Sequence, residues 1–386
     1  MSRADDLPRP DLPEPSPALP PAPARRLLLK NALAAGAPAA STPAAAHAAA
    51  PSPPADRPKA AAPHANSLVR NRADPHITRH TDGFYYFTAT ATATAPECNR
   101  IVLRRSRTPA GLGSAAESVV WRAHPTGDMG AHIWAREMHR VAGKWYVYFA
   151  AAPAEDVWAI RIWVPENAHP NPFLGTWVEK RQIRTAWESF SPDTTTFTHQ
   201  GTRSLSWAQH EPGTDKNNTA IWLSGMSDPW TLTGPQVRLS TPECGWERLG
   251  CKANEGPYVI QRNGRVFMRY SAGVTDASYR MGLLTAPDDS DLMDTASWSK
   301  SPVPVFTSND TTRQYGPGRS CFTVAEEVRT DVLVYHARQY KEIDGDPLDD
   351  PNRHTRAQPL GWKPDGTPDF GVPVADGTAA TSGTGV

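Results

Sequence analysis

Gly143-Lys144-Trp145-Tyr146-Val147-Tyr148-Phe149-Ala150-Ala151 is a glycine turn followed by an unbroken run of aromatic, β-branched and small residues. It lacks the three-to-four-residue spacing of an amphipathic helix, and its length suits one strand. The pattern returns in Gly83-Phe84-Tyr85-Tyr86-Phe87-Thr88-Ala89-Thr90, Gly264-Arg265-Val266-Phe267-Met268-Arg269-Tyr270-Ser271 and Asp331-Val332-Leu333-Val334-Tyr335-His336. Ile101-Val102-Leu103-Arg104-Arg105-Ser106 adds another strand. Each run is rich in the residue types that fit a pleated, buried surface, with Gly, Asn or Asp at its borders. No amphipathic helix is expected beyond short loop turns.

The runs recur with a phase. Asp74, Trp134, Asp193, Glu255 and Gly318 each stand shortly before such a glycine-turn strand, at spacings of 60, 59, 62 and 63 residues. Four short strands with their turns fill that length. Five such units predict an all-β fold, a five-bladed β-propeller whose inner strands turn residues into a central channel. A large β-sandwich is the alternative, but it would not require equal spacing.

The propeller is expected over residues 67–386, because the chain before it is a different material. Residues 1–66 hold fifteen of the 39 prolines and no Phe, Tyr or Trp, whereas all 13 tryptophans lie between Trp121 and Trp362. Such a segment offers too little apolar surface to offset the entropy of ordering it. Ala24-Arg25-Arg26-Leu27-Leu28-Leu29-Lys30 resembles a twin-arginine export motif, with an alanine-rich stretch and the small-residue sequence Ala46-His47-Ala48-Ala49-Ala50 after it. Residues 1–50 are therefore read as a disordered export signal and residues 51–66 as a Pro/Ala-rich linker, so the protein is expected to be secreted by the twin-arginine route. A low-complexity linker that happens to contain two arginines is the plainer alternative.

The 386 residues carry 40 basic and 40 acidic side chains, a formal charge of zero, which gives no reason to expect nucleic acid or a membrane surface as partner. No run of about 18 apolar residues crosses a bilayer. Four cysteines suit an oxidising compartment. Cys244 and Cys251 flank a short loop that they could bridge, although four cysteines allow three pairings. No Cys-x-x-Cys pair points to zinc.

Three of the five phased positions are acids: Asp74 in Arg72-Ala73-Asp74-Pro75-His76, Asp193 in Ser191-Pro192-Asp193-Thr194-Thr195, and Glu255 in Asn254-Glu255-Gly256-Pro257. Alone, each is an ordinary turn acid. Gathered in one channel they cannot all ionise freely, because like charges raise one another's pKa. Carboxyls with separated proton affinities are what acid–base hydrolysis needs: one activates water while another holds a proton for the leaving group.

These motifs, with His132-Ile133-Trp134-Ala135 and Tyr315-Gly316-Pro317-Gly318, resemble glycoside hydrolase family 43, over roughly residues 67–376. Trp207-Ala208-Gln209 and the acidic tract from Asp344 to Arg353 resemble its exo-acting α-L-arabinofuranosidase branch. The resemblance implies a five-bladed propeller that removes terminal α-L-arabinofuranose from arabinan or arabinoxylan oligosaccharides with inversion. It implies Asp74 as general base, Glu255 as general acid, and Asp193 as the residue that tunes the acid and holds the sugar. Trp134, Gln209, Arg319, His336 and Arg356 are the expected substrate-binding residues; Asp346, Asp349 and Asp350 lack a calcium-loop order and read as a solvated turn.

Two departures from the family pattern stand out. The family reads Gly-Pro-Gly-His at the fifth phase, its histidine bordering a central cation, where this chain has Arg319. Guanidinium has no lone pair for a metal. No cofactor or metal is therefore expected, and Arg319 either supplies the positive charge or blocks the pocket. Arg136 stands where the family prefers proline before Glu137, which is expected only to loosen the backbone. A β-xylosidase or endo-arabinanase on the same scaffold, or a non-catalytic carbohydrate-binding propeller, are the other readings.

Overall fold

The computed structural model describes residues 65–92, 97–215 and 218–377. The twin-arginine motif, the small-residue site and nearly all of the linker lie outside the described residues.

The strand runs form antiparallel sheets in chain order. The first sheet holds β1 (Arg72–Arg79), β2 (Tyr85–Ala91), β3 (Arg100–Ser106) and β4 (Ser118–Arg122); the second holds β5 (Ala131–Val141), β6 (Lys144–Ala152), β7 (Arg161–Asn167) and β8 (Trp177–Gln182). Next come β9 (Thr194–His199), β10 (Thr202–Gln209), β11 (Asn218–Asp228) and β12 (Thr231–Ser240). A fourth group has β13 (Lys252–Arg262), β14 (Arg265–Ala272), β15 (Arg280–Pro287) and β16 (Ser299–Lys300). A short parallel pairing, Asn218 with Lys252 and Thr219 with Ala253, joins these last two groups into one sheet. The final sheet holds β17 (Tyr315–Val324), β18 (Asp331–Arg338) and β19 (His354–Pro359). The only helical elements among the described residues are short 3₁₀ turns. The chain is all-β.

The continuous apolar runs have a packing reason: each group of strands is covered on both faces. Tyr86, Ile101 and Leu103 pack with Met138, Trp145 and Phe149 of the second sheet. Tyr148 and Ile162 pack with Leu205 and Trp207, and Ile221 and Leu223 with Val266, Met268 and Tyr270. Phe267 and Leu283 pack with Phe322, Leu333 and Tyr335. A fifth cluster returns to the start, setting Val332 and Val334 against Ile77, Tyr85 and Phe87. With both faces buried, every residue of β2 is buried, and strict alternation with polar residues disappears.

The two ends of the fold meet in the last sheet. Val69 pairs antiparallel with Thr355 of β19, and buried Asn66 exchanges two 2.9 Å hydrogen bonds with Ala357. Asn66, placed in the linker by composition, is thus part of the folded core.

The phased residues sit on the first strand of each group, or just before it at Asp193, and the pairing is irregular there. Register shifts fall between Ala73 and His76, around Trp134, between Glu255 and Tyr258, and around Gly318. Asp74, Ala135 and Arg319 have positive φ beside these bulges. A bulge re-aims a side chain out of the pleat, which is how an acid inside a strand comes to face a cleft. Gly318 has a separate cause: a Cβ there would lie 1.9 Å from the Tyr279 ring, so only glycine lets that ring pass.

Candidate active site

Asp74, Asp193 and Glu255 line one cleft of about 760 Å³, together with Trp134, Trp158, Tyr279, His336, Asp346 and Arg353. All five strand groups contribute to it. Three acids, 119 and 62 residues apart along the chain, are thus brought to one cleft.

Asp74 sits at φ 50° on the β1 bulge. Its backbone N–H donates to His336 Nδ1 at 3.1 Å, and its Oδ1 lies 3.4 Å from the same nitrogen. Burial would raise its pKa, but nearby positive charge holds it below the usual carboxylate range, from Arg353 and Arg319 wherever His336 is neutral. Burial pushes His336 itself down to about 4. That ring is uncharged near neutrality, so the lasting positive charge on Asp74 comes from the arginines. With Nδ1 accepting the Asp74 amide, the proton of His336 sits on Nε2, which has no protein partner although buried.

Glu255 is in the opposite state. Burial first, then the nearby charge of Asp193, pushes its pKa up to about 8, although Tyr279 donates to Oε1 at 2.7 Å. Near neutrality Glu255 keeps its proton. Tyr279 also lies parallel to His336, ring centroids 6.0 Å apart, and so links the surroundings of acid and base. Burial likewise raises Asp193, with the Arg319 guanidinium 3.5 Å away pulling against it.

Arg319 does not line the cleft. It lies buried behind the carboxylates, Nη2 3.2 Å from Glu137 Oε1 and Nε 3.5 Å from Asp193 Oδ1, its N–H donating to Ser271 Oγ at 2.9 Å. Gly256 gives it room: a Cβ there would lie 2.7 Å from Arg319 Cδ. The expected contact with substrate is therefore corrected to one with the acids beneath it. Arg319 supports Asp193 and Glu137 first, and Asp74 only at longer range.

Two other expected binding residues are elsewhere. Gln209 is fully buried, accepting from Trp207 Nε1 and donating to Thr185, Trp187 and Ser189. Arg356 is fully buried against Ala337 O, His354 O and Asp376. Neither reaches the cleft, because no residue of β10 or β19 lines it. Arg353, three residues before Arg356 and outside the strand, lines the cleft instead, with Nη2 on Leu348 O at 3.1 Å and Nε without a partner. Neither Tyr279 nor Arg353 carries a periodic signal in the sequence, as both come from irregular chain.

Three smaller expectations change. Arg136, fully buried, donates to Ala89 O and Arg100 O and so staples β5 to the first sheet rather than loosening it. The acidic tract is the exposed turn expected at Asp346 and Asp349, but Asp346 also borders the cleft, and Asp350 accepts from Arg338 at 3.1 Å and Tyr340 at 2.6 Å. Cys244 and Cys251 form no bridge, and Cys251 faces the cleft.

One trio of ligand-type side chains lies on the far side of Arg319. His76, Glu137 and His139 bring their donor atoms within 4.8 Å of one another. Their lone pairs are engaged, however. Met138 N–H meets His76 Nδ1 at 3.3 Å, Tyr258 OH meets His76 Nε2 at 3.3 Å, and Glu137 pairs with His139 and Arg319.

An all-β frame with two carboxyls of opposed protonation state in one cleft meets the requirement of an acid–base glycoside hydrolase. The family described as glycosyl hydrolases family 43 matches residues 65–368, and the chain belongs to it. An extracellular exo-α-(1→5)-L-arabinofuranosidase of Streptomyces chartreusis is 71% identical over 73% of this chain and 84% of its own length. A protein of the same description from Streptomyces avermitilis is 54% identical over 81% of this chain and 64% of its own. The crystal structure of an α-L-arabinofuranosidase from Lactobacillus brevis superposes with a TM-score of 0.79 at 46% identity, covering 82% of this chain and 98% of that one.

Proposed function

We propose that this chain is a secreted, inverting, exo-acting α-L-arabinofuranosidase that releases terminal arabinofuranose from arabinan or arabinoxylan oligosaccharides. One observation carries the reading: two carboxyls in one cleft are held in opposite protonation states, Asp74 ionised and Glu255 protonated. Asp74 takes a proton from water as its oxygen bonds to the anomeric carbon. Glu255 gives its proton to the glycosidic oxygen as that bond breaks, so configuration inverts. Asp193 keeps the acid's pKa high and accepts hydrogen bonds from the bound sugar. Arg353 and the Nε2–H of His336 offer unclaimed donors to sugar hydroxyls. The segment carrying Asp346, Leu348 and Arg353 walls one side of the pit, which suits a chain end rather than a polymer lying across. Both Streptomyces relatives bear that activity in their descriptions.

The scaffold for this chemistry is a five-bladed β-propeller. Five inter-sheet cores, the last of them returning to the first sheet, and an acid or aromatic on the inner strand of successive groups support it. Secretion follows the extracellular relatives, and the twin-arginine pair makes the folded-protein route the proposed one.

Catalysis needs no central cation in this reading. The residue at the family's histidine position is a guanidinium already paired with Glu137 and Asp193, and no reaction step passes through a metal. Dialysis against a strong chelator is expected to leave kcat within about twofold; strong loss restored by a divalent ion sinks this point.

The protonation states set the pH profile. Raising pH through about 8 strips Glu255 of the proton it must donate, so kcat/KM falls on the alkaline side, while ionised Asp74 keeps the acid limb low. Asp193→Asn removes the negative neighbour and leaves the charge of Arg319 less neutralised near Glu255. Both changes lower the acid's pKa, and the alkaline limb moves to lower pH. An unmoved limb means that Asp193 does not tune Glu255.

A further inference from the structure

The cleft has one aromatic that the reaction above leaves unused. Trp158 lies on the segment between β6 and β7, lines the cleft, and remains 56% exposed. Its orientation is braced. It meets His132 edge-on at 4.9 Å and Trp134 at 6.2 Å, while His132 and Trp134 themselves stack at 4.3 Å and 18°. Trp134 therefore has one face covered by an imidazole, whereas most of the Trp158 indole is open. Neighbouring Val157 is also exposed, and Leu249 accepts the N–H of the cleft residue Val274 at 2.9 Å while itself exposed. Trp158 thus puts exposed apolar surface at the edge of a cleft that holds the three acids.

We propose that Trp158 is the platform for the leaving-group sugar, the residue next to the scissile bond on the side that departs. This rests on the exo-acting reading. The carboxylate floor takes the terminal arabinofuranose, so whatever stands at the rim meets the remainder of the chain. An indole held side-on and bare of protein presents a flat, weakly hydrated face to the C–H surface of a sugar ring. Burying an exposed tryptophan is also the commonest way a binding surface concentrates its energy. Trp158 thereby sets preference for oligosaccharides over glycosides with small leaving groups, without touching the reacting atoms.

The test compares (1→5)-α-L-arabinotriose, which has a ring to stack, with methyl α-L-arabinofuranoside, which has none. In Trp158→Ala the ratio of kcat/KM for triose over methyl glycoside is expected to fall about tenfold, carried by KM. Trp158→Phe, which keeps a ring, is expected to recover most of the ratio. An unchanged ratio, whether both rates hold or both fall together, overturns the assignment. Wild-type protein that releases no arabinose from either substrate strikes the exo-acting reading itself, and this inference falls with it. Active wild type with an unchanged ratio removes Trp158 alone.

Discussion

Glu255→Gln and Asp74→Asn are each expected to lower kcat on arabino-oligosaccharides by about 10³-fold, the middle of the range that one positioned proton-transfer group contributes. The two losses have different signatures. In the proposed reaction Glu255 protonates the departing oxygen, so its loss matters less when the leaving group departs unaided. On an aryl arabinofuranoside whose phenol is strongly acidic, Glu255→Gln is expected to regain most of the wild-type rate. Asp74→Asn is not, because water still lacks its base. The alkaline limb near pH 8 also disappears from the Glu255→Gln profile, since the group that titrates there is gone. Equal rates in wild type and both variants on every substrate end the catalytic reading and leave a carbohydrate-binding protein. Rescue of Asp74→Asn in place of Glu255→Gln reverses the two roles.

Arg319→Gln is expected to have the largest effect on stability. Arg319 sits almost fully buried with Glu137 and Asp193 as its ion partners. Removing one member of such a buried group leaves uncompensated charge and costs about 3–5 kcal/mol, a fall in Tm on the order of 10 °C for a fold of this size. The deficit shrinks as pH falls through the range in which the two carboxylates take protons, because a neutral carboxyl needs no cation. Scanning calorimetry at two pH values reads both effects. Activity supplies a second readout. Without the guanidinium, Asp193 and Glu255 bind protons more tightly, so the alkaline limb moves to higher pH, opposite in sign to Asp193→Asn. A variant with unchanged Tm and limb means that Arg319 neutralises nothing.

The strands were legible because each sheet is covered on both faces. Runs such as residues 85–91 are continuous in apolar and small residues, and their lengths and glycine borders mark them without any tertiary information. The acids were legible for a different reason. They stand in phase in a repeat of about sixty residues, and the structure brings all three to one cleft. Side-chain direction was not legible at the same level. Gln209 and Arg356 lie on strands that contribute no residue to the cleft, and both are fully buried; strand pattern alone does not say which strands reach it. Arg353, Tyr279 and Trp158 lie on irregular segments that carry no period, so nothing in the sequence distinguished them from other loop residues.

Composition and repeat phase alone determined that this is an all-β chain with three acids at equivalent positions, because strand propensity and spacing are properties of the covalent chain. Which acid holds a proton was decided only in three dimensions. A carboxyl's pKa depends on burial and on charges within a few ångströms, and those come from His336, Arg353, Arg319 and Tyr279, as much as 279 residues away in sequence. No local pattern around Asp74 or Glu255 records those neighbours; folding assembles them.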